Sequence, residues 1–288
     1  MKIQTFTVVA GSAACNARCP FCISRQTPNS GVPTKQPEVN WRNLQIGIRI
    51  AQQHNVTTAL ITGKGEPTLF PDQLNQYAQR LAEGFPIVEL QTNGLVFQQP
   101  EWRERLEFLY NAGVTTIALS VVHWENEINR KIYAPHWAEY PDLATTIALL
   151  HEIGFSVRLT LMMASPYFVD FADVNMLMRF VKANKVEQTT LRPVLLAQSN
   201  GDEEIKAWSD KHILTEDQLF GITNHIELNG TRVMTLPHGA QIYDFGGQNL
   251  ALTDCLTIKE DTDDLRQLIF FPDGALRYDW QYEGARIL

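Results

Sequence analysis

The sequence predicts an α/β protein, a partial (β/α)6 barrel with a C-terminal extension that contains β-hairpins. Strand-like and helix-like patterns alternate six times over residues 3–198, as expected of a parallel sheet covered by helices. Polar or glycine-rich segments follow the predicted strands, at the end where α/β folds place their active-site loops. After residue 198 the regular alternation stops. We therefore expect a barrel domain over residues 1–198 and an extension over residues 199–288 that closes the open side of the barrel.

Short apolar runs and helix-capping residues predict the individual elements. Strands are expected at residues 3–10, 58–62, 87–91, 115–121, 156–163 and 188–195. Helices are expected at residues 40–54, 71–84, 100–112, 170–184 and 216–229, with a further helix that ends at Gly154. Asn40 is a favourable N-cap residue because its side chain accepts a hydrogen bond from the first helical turn. Pro71 suits a first turn, where its missing N–H is not needed.

Other segments are predicted from their turn-forming and polar residues. Residues 24–40 contain three prolines and a glycine, so we expect a long loop there. Residues 123–135 are predicted to form a polar loop and turn, and residues 200–210 are polar and acidic. Residues 268–277 place two apolar arms around a Pro-Asp-Gly turn, which predicts a β-hairpin in the extension.

Composition excludes several classes of protein. The 288 residues include 24 Lys and Arg against 32 Asp and Glu, for a net charge of −8. This acidic balance argues against a general nucleic-acid binder, which needs clustered basic residues. No stretch reaches the roughly 18 apolar residues of a transmembrane helix. The segment before Cys15 is too polar for a signal peptide, and clustered free thiols fit a reducing compartment, so we expect a cytoplasmic protein.

Three of the four cysteines, Cys15, Cys19 and Cys22, lie in one short loop after the first predicted strand. Thiolates are soft ligands that suit iron–sulfur clusters, zinc or copper(I). A structural zinc site needs four ligands, and no second Cys-x-x-Cys or His-containing hook follows in the sequence. A [4Fe-4S] cluster held by three cysteines keeps one iron open for another ligand, as in a catalytic site. A zinc hook or a redox-active thiol cluster remains the alternative from the cysteines alone.

The spacing C-x3-C-x2-C, with the aromatic Phe21 before the last cysteine, resembles the radical S-adenosylmethionine (radical SAM) superfamily. The resemblance implies a [4Fe-4S] cluster on the three cysteines and SAM chelated to its open iron. It further implies that one electron from the reduced cluster cleaves SAM and that the resulting 5′-deoxyadenosyl radical abstracts hydrogen from a substrate. An electron donor such as flavodoxin or ferredoxin is then required.

The layout resembles members like the molybdenum-cofactor cyclase, but with a single cluster. Only Cys255 remains outside the motif, which is too few for a second ordinary cluster. A buried core thiol is the common fate of such a cysteine, and the alternative is a donor of a hydrogen atom or thiolate near the substrate. A small polar metabolite or nucleotide is the expected substrate, since the extension can close a pocket. The alternatives are an activating enzyme that makes a radical on a partner protein or peptide, and a zinc-binding regulatory module.

The segment Gly63-Lys-Gly-Glu-Pro67 follows the second predicted strand and resembles the family's Gly-Gly-Glu-Pro segment. The resemblance implies that Gly65 and Glu66 receive the ammonium group of SAM. A carboxylate pairs with a cation, and a glycine lets the backbone approach it closely. Lys64 departs from the family pattern, where glycine stands, and is a further candidate contact to SAM or substrate. An ordinary strand-to-helix turn is the alternative reading of the segment.

Polar residues on later strands complete the predicted SAM site. Asn93, after the third strand, and Ser120, in the fourth, match positions at which family members contact the SAM ribose or carboxylate. The alternatives are an ordinary Thr-Asn-Gly turn for Asn93 and an ordinary strand residue for Ser120. Arg158 lies within an otherwise apolar strand and needs an anionic partner, either the SAM carboxylate or a neighbouring carboxylate. Arg192 on the sixth strand is a second candidate of this type. His123 follows the fourth strand, where a histidine can relay a proton or hold a polar substrate, or simply belong to a solvated loop.

Overall fold

The barrel strands form as predicted. The computed structural model of the chain describes residues 2–28, 31–197, 201–253 and 264–288. Within them the barrel strands are Lys2–Val9 (β1), Thr58–Thr62 (β2), Ile87–Thr92 (β3), Thr116–Val121 (β4), Ser156–Met163 (β5) and Gln188–Pro193 (β6). Each pairs with the next in parallel. This confirms the α/β fold with a partial parallel barrel.

Helices alternate with these strands along the chain. In the described residues they are Ile23–Gln26 (α1), Trp41–Gln53 (α2), Pro71–Ala82 (α3), Trp102–Asn111 (α4), Asn126–Tyr133 (α5), Leu143–Ile153 (α6), Phe171–Ala183 (α7), Glu203–His212 (α8) and Glu216–Asn229 (α9). The predicted caps form, since the Asn40 side chain accepts a hydrogen bond from the Asn43 N–H at 3.1 Å. Gly154 ends α6 with a φ of 115°, a conformation that favours glycine.

Three elements differ from the prediction. The polar segment predicted as a loop contains α5, because Asn129, Ile132 and Tyr133 recur at helical spacing and are buried. The acidic segment after the sixth strand contains α8, which buries Ile205. The predicted long loop begins with the four-residue helix α1.

The extension adds strands to both edges of the barrel sheet. Its strands are Thr231–Thr235 (β7), Gln241–Phe245 (β8), Gln248–Leu252 (β9), Asp264–Phe270 (β10) and Leu276–Arg277 (β11). The sheet order is β11-β10-β1-β2-β3-β4-β5-β6-β9-β8-β7. Strand β9 pairs in parallel with β6, and β10 in parallel with β1. The predicted Pro-Asp-Gly hairpin is confirmed as β10 and β11.

The turn between β7 and β8 reaches back to the first strand. His238 in this turn places its Nδ1 3.1 Å from Oε1 of Gln4 on β1. The extension therefore contacts both the last and the first strand of the barrel. The predicted domain boundary after residue 198 lies outside the described residues, as does Cys255.

Alternating residues separate the helix-facing core from the barrel interior. Val157, Leu159 and Leu161 on β5 are fully buried in the core beneath the helices. The residues between them, including Arg158, are only partly buried and face the interior. In the part of the chain that the structure describes, no helix is both long and apolar enough to cross a bilayer.

Candidate functional site

The three cysteines lie in the loop that follows β1, at the carboxyl end of the parallel sheet. Their thiols are free, and Cys22 begins α1. The loop is ordered by its own backbone, since the Cys22 N–H donates to the Cys19 carbonyl at 3.2 Å. Over residues 2–28, 31–197, 201–253 and 264–288, no three His, Cys, Asp or Glu side chains converge as ligands of a single metal ion. The fit to an iron–sulfur cluster rests on the donor set, three free thiols on one loop.

Burial makes the thiols of Cys15 and Cys19 weaker acids than usual. It raises the pKa of Cys15 to about 11, and the charges of Glu66 and Cys22 act in the same direction. The pKa of Cys19 is raised well above its usual value, first by burial and then by the Cys22 and Cys15 charges. Because ligating sulfur must be deprotonated, metal binding at this loop releases protons.

The Gly63–Pro67 turn packs directly against the cysteine loop. The Glu66 N–H donates to the Ala14 carbonyl at 2.9 Å. A Cβ on Gly65 would lie 1.9 Å from the Ala14 carbonyl oxygen, a distance that no side chain tolerates. Glycine is therefore required at position 65 for the turn to approach the residue before Cys15.

The Glu66 carboxylate is buried, with 3% of its surface exposed, and fully engaged by protein donors. Oε1 accepts from the Thr68 N–H at 3.0 Å, the Thr68 hydroxyl at 2.7 Å and the Thr92 hydroxyl at 2.6 Å. Oε2 accepts from the Asn93 N–H at 2.9 Å. Burial raises the pKa of Glu66, and these hydrogen bonds oppose the shift. Glu66 thus joins the turn after β2 to the turn after β3.

Asn93 links the turn after β3 to the cysteine loop. Its Nδ2 donates to Oδ1 of Asn16 at 2.8 Å and lies 3.9 Å from Sγ of Cys15. The Asn16 side chain then has a buried Nδ2 with no hydrogen-bond partner in the described residues. A buried donor without a hydrogen-bond partner destabilises a protein by about 1–3 kcal/mol. An unpaired donor beside the cysteines therefore fits a site that receives a polar ligand.

Lys64 is buried beside Thr27, the C-cap residue of α1. Its Nζ donates to the Thr27 hydroxyl at 2.6 Å and lies 5.7 Å from the centroid of the Trp280 ring. Burial lowers the pKa of Lys64 to about 8; the negative charge of Cys22 opposes this shift, and the nearby Arg277 adds to it.

An aromatic cluster surrounds Phe21, the residue before Cys22. Phe21 contacts Tyr133 of α5 edge-on, with ring centroids 5.7 Å apart, and Trp208 of α8 at 5.4 Å. The cluster also includes Met162 and the partly buried Cys19. Two ion pairs hold α8 over the loop, from Arg25 to Asp202 at 2.7 Å and to Glu204 at 2.8 Å.

Arg158 pairs with a carboxylate of the protein. Its guanidinium forms an ion pair with Glu89, which is 5% exposed, across the intervening strand β4. Ala118 on β4 lies in register with Arg158, and its small side chain leaves room for this contact. Arg158 Nε has no hydrogen-bond partner among the described residues, so one donor is still available to a ligand. A neighbouring carboxylate is one of the two partners expected for Arg158 from the sequence.

Ser120 and Arg192 lie on interior-facing positions of β4 and β6. Ser120 is in register with Thr160, and Arg192 with Met162 of the aromatic cluster. The structure thus places both on the inner face of the barrel sheet.

His123 is organised by the local backbone. Its Nδ1 accepts from the Glu125 N–H at 3.0 Å, and its ring stacks on Trp124 with centroids 3.9 Å apart. The Asn129 side chain of α5 accepts a hydrogen bond from the His123 N–H at 3.2 Å and donates one to the His123 carbonyl at 2.7 Å. Burial lowers the pKa of His123, which favours the neutral form of the ring. In the described residues, no hydrogen bond, ion pair or ring contact joins His123 to the cysteine loop.

Two residues at this site escape prediction from the sequence. Asn16 lies inside the cysteine motif, and its position alone could have marked it. Trp208 could have been found from the spacing of Ile205, Trp208 and His212, which places all three on one side of a helix.

The sequence and the fold were compared with known proteins. The family model described as the Radical SAM superfamily matches residues 10–181. The fold is similar to Streptococcus suis SuiB bound to S-adenosylmethionine, at 14% identity and a TM-score of 0.59, covering 96% of this chain and 60% of that one. It is similar to anSMEcpe with bound AdoMet, at 12% identity and a TM-score of 0.59, covering 98% and 77%.

A third similar structure is methylornithine synthase (PylB), at 12% identity and a TM-score of 0.54, covering 78% of this chain and 63% of that one. No curated protein matches the sequence. This chain spans about 60% of the length of SuiB. At these identities the structural likenesses show a shared fold.

Proposed function

The chain belongs to the radical SAM superfamily, and on that premise we propose that it is an enzyme that cleaves S-adenosylmethionine reductively at a [4Fe-4S] cluster held by Cys15, Cys19 and Cys22. The observation that carries the proposal is the packing of the Gly63–Pro67 turn against the cysteine loop, which brings two separate motifs to one edge of the sheet. Cys15, Cys19 and Cys22 would hold the cluster, which would supply the single electron needed to cleave SAM and so provide the radical chemistry for hydrogen abstraction from the substrate.

We assign the binding of SAM to residues around this loop. Gly65 and Glu66 order the turn that receives the ammonium group, and Asn93 is fixed beside Cys15 through Glu66 and Asn16. The unpaired Nδ2 of Asn16 supports a polar ligand at this place. Phe21 and its aromatic neighbours provide an apolar surface that packs against Cys19.

The interior of the barrel supplies the remaining assigned contacts to SAM. Arg158, with its unpaired Nε, is assigned to the SAM carboxylate, and Arg192 is a second candidate for that role. Ser120 is assigned to the ribose or carboxylate. The Nδ1 of His123 accepts from the Glu125 N–H of its own loop, so a proton relay through His123 requires that its Nε2 face the substrate.

We propose a small polar metabolite or nucleotide as the substrate. The extension supports this choice, because α8 lies over the cysteine loop through Arg25 and Trp208. His238 of the extension contacts Gln4 on the first strand of the barrel. We propose that the extension closes the open side of the barrel. A covered barrel admits a small molecule more readily than a protein segment.

The cellular setting follows from the chemistry. Three free thiols in one loop require a reducing compartment, which favours the cytoplasm. Reduction of the cluster requires a low-potential donor, and flavodoxin or ferredoxin fits that need.

A peptide or protein substrate is the second candidate. SuiB has been crystallised with its precursor peptide SuiA, and it shares this fold at 13% identity. Such a substrate would require that α8 or the turn between β7 and β8 move away from the barrel.

The two substrate classes are separated by the yield of 5′-deoxyadenosine. The reconstituted, reduced protein is incubated with SAM and either the low-molecular-mass or the protein fraction of a cell extract. We expect the low-molecular-mass fraction to raise the yield and the protein fraction to leave it at the basal level. Stimulation by the protein fraction alone would establish the second candidate.

A further inference from the structure

Lys64 is a buried cation without a carboxylate partner in the part of the chain that the structure describes. Its side chain is 6% exposed, and its described hydrogen bond is to the neutral Thr27 hydroxyl at 2.6 Å. The Trp280 ring, 5.7 Å away, offers the electron-rich face of an aromatic system. Neither partner carries a negative charge. Burial of an unpaired ammonium is strongly unfavourable, so an anion is expected beside it in the working protein.

The position of Lys64 identifies where that anion lies. Thr27 is the C-cap residue of α1, and its hydroxyl donates to the Ile23 carbonyl at 3.0 Å. Cys22 is the N-cap residue of the same four-residue helix. The ammonium is therefore hydrogen-bonded to the segment that carries the third cysteine, at a residue less than two helical turns after Cys22. The neighbouring Arg277 is a cation and cannot supply the missing charge.

We propose that Lys64 is the counter-cation of the iron–sulfur cluster and raises its reduction potential. This inference rests on the proposed function. A [4Fe-4S] core bearing three thiolates is an anion, and reduction by one external electron makes it more negative by one charge. A fixed ammonium stabilises the reduced form more than the oxidised form, because the Coulomb energy scales with that charge. Net charge near a cluster is one of the main determinants of its potential.

The sequence adds an independent reason to single out this residue. Lys64 stands where the Gly-Gly-Glu-Pro segment of the family has its first glycine. Gly65 is constrained by the Ala14 carbonyl, whereas the Lys64 side chain extends to the Thr27 hydroxyl. The lysine is thus an addition to the turn that the backbone geometry does not demand.

The test is a redox titration of the reconstituted protein, followed by the electron paramagnetic resonance signal of the reduced cluster in the absence of SAM. Lys64→Met removes the charge and keeps most of the volume against Trp280. Lys64→Arg keeps the charge. Lys182→Met, on the exposed end of α7, makes the same change in net charge far along the chain from the cysteines.

We expect Lys64→Met to lower the ratio of reduced to oxidised cluster about tenfold at a fixed solution potential, a shift of about 59 mV for a one-electron couple. Lys64→Arg and Lys182→Met should titrate close to the unmodified protein. Equal potentials in the unmodified protein and Lys64→Met would overturn the assignment.

A second variant covers a failure of Lys64→Met to assemble the cluster. Lys64→Gly restores the residue of the family segment and removes the same charge. Its potential should fall as well, and an unchanged value would overturn the assignment equally. If the unmodified protein itself forms no cluster, the proposed function fails. If the unmodified protein forms a cluster whose reduction potential is unchanged by substitution of Lys64, only this inference fails.

Discussion

The Glu66 carboxylate accepts a hydrogen bond from the backbone N–H of Asn93 at 2.9 Å, and this contact joins the turn after β2 to the turn after β3. The other carboxylate oxygen accepts from the backbone N–H of Thr68 at 3.0 Å. Each oxygen therefore faces a backbone donor that cannot rotate away. The two turns are held as one unit beside Cys15.

Glu66→Gln should disrupt this unit although it keeps the shape of the side chain. A carboxamide has one oxygen and one NH2 group, so either orientation sets the NH2 against a backbone N–H. Leaving a buried donor unpaired costs about 1–3 kcal/mol. We expect a loss of unfolding free energy of that size and at least about tenfold weaker SAM binding, with cluster content retained. Glu104→Gln on the exposed face of α4 is the control, and equal SAM affinity in both variants would remove Glu66 from the site.

Gly65→Ala tests the approach of the turn to the cysteine loop. The new Cβ meets the Ala14 carbonyl oxygen at 1.9 Å, so the turn or the loop must move. We expect a loss of about 1–3 kcal/mol in unfolding free energy and reduced iron incorporation. Gly221→Ala is the matched control, because its Cβ meets nothing within 4 Å on the exposed face of α9. It should stabilise the protein by about 0.5–1 kcal/mol. Similar effects of the two substitutions would contradict the proposed close contact.

Arg158 is tested by separating its structural role from its role toward SAM. Arg158→Met removes the cationic partner of the buried Glu89, which keeps only the Gln91 side-chain amide as a donor at 2.9 Å. The loss should cost about 3 kcal/mol, at the lower end for a broken buried pair because Arg158 is partly exposed. The double variant Arg158→Met with Glu89→Gln should recover most of that loss, measured by denaturant unfolding. If Arg158 binds the SAM carboxylate, the double variant still binds SAM at least about tenfold more weakly, while Glu89→Gln alone does not. Normal SAM affinity in the double variant would show that Arg158 serves only the ion pair with Glu89 and does not bind SAM.

His238 gives the fold a dependence on pH. Burial and the charges of Arg266 and Arg192 lower the pKa of His238 to about 4. Between about pH 6.5 and pH 4 the unfolded chain binds a proton at this residue that the folded chain does not, so the unfolding free energy falls as the pH is lowered through this window. The unfolding free energy of His238→Gln should fall less steeply with decreasing pH than that of the unmodified protein. His136→Gln, at an exposed position, is the control and should follow the profile of the unmodified protein. Parallel pH profiles for all three would contradict this role.

The barrel could be predicted because its signals are local. Apolar runs mark each strand, and residues such as Asn40, Pro71 and Gly154 mark helix ends through their own backbone chemistry. The cysteine spacing likewise identifies its site within a few residues. These features need no knowledge of distant parts of the chain.

The parts that could not be predicted depend on distant contacts or on weak local patterns. Strand β10 pairs with β1 across most of the length of the chain, and no local pattern encodes that partner. Helix α5 is polar along most of its length, so its buried Ile132 and Tyr133 stand out poorly. The choice of Glu89 as the partner of Arg158 depends on the strand register and on the small Ala118 between them. The contacts of Lys64 depend on how α1 and the extension pack around it.

The most direct test of the central claim is anaerobic reconstitution with iron and sulfide, reduction with dithionite, and chromatographic detection of 5′-deoxyadenosine from added SAM. We expect about four irons and four sulfides per chain, with deoxyadenosine formed. Cys19→Ala should lose both the cluster and the product, and Cys255→Ala should keep both because a single cluster uses only the three cysteines of the loop. A chain that binds about one zinc, holds no sulfide and forms no deoxyadenosine would contradict the account.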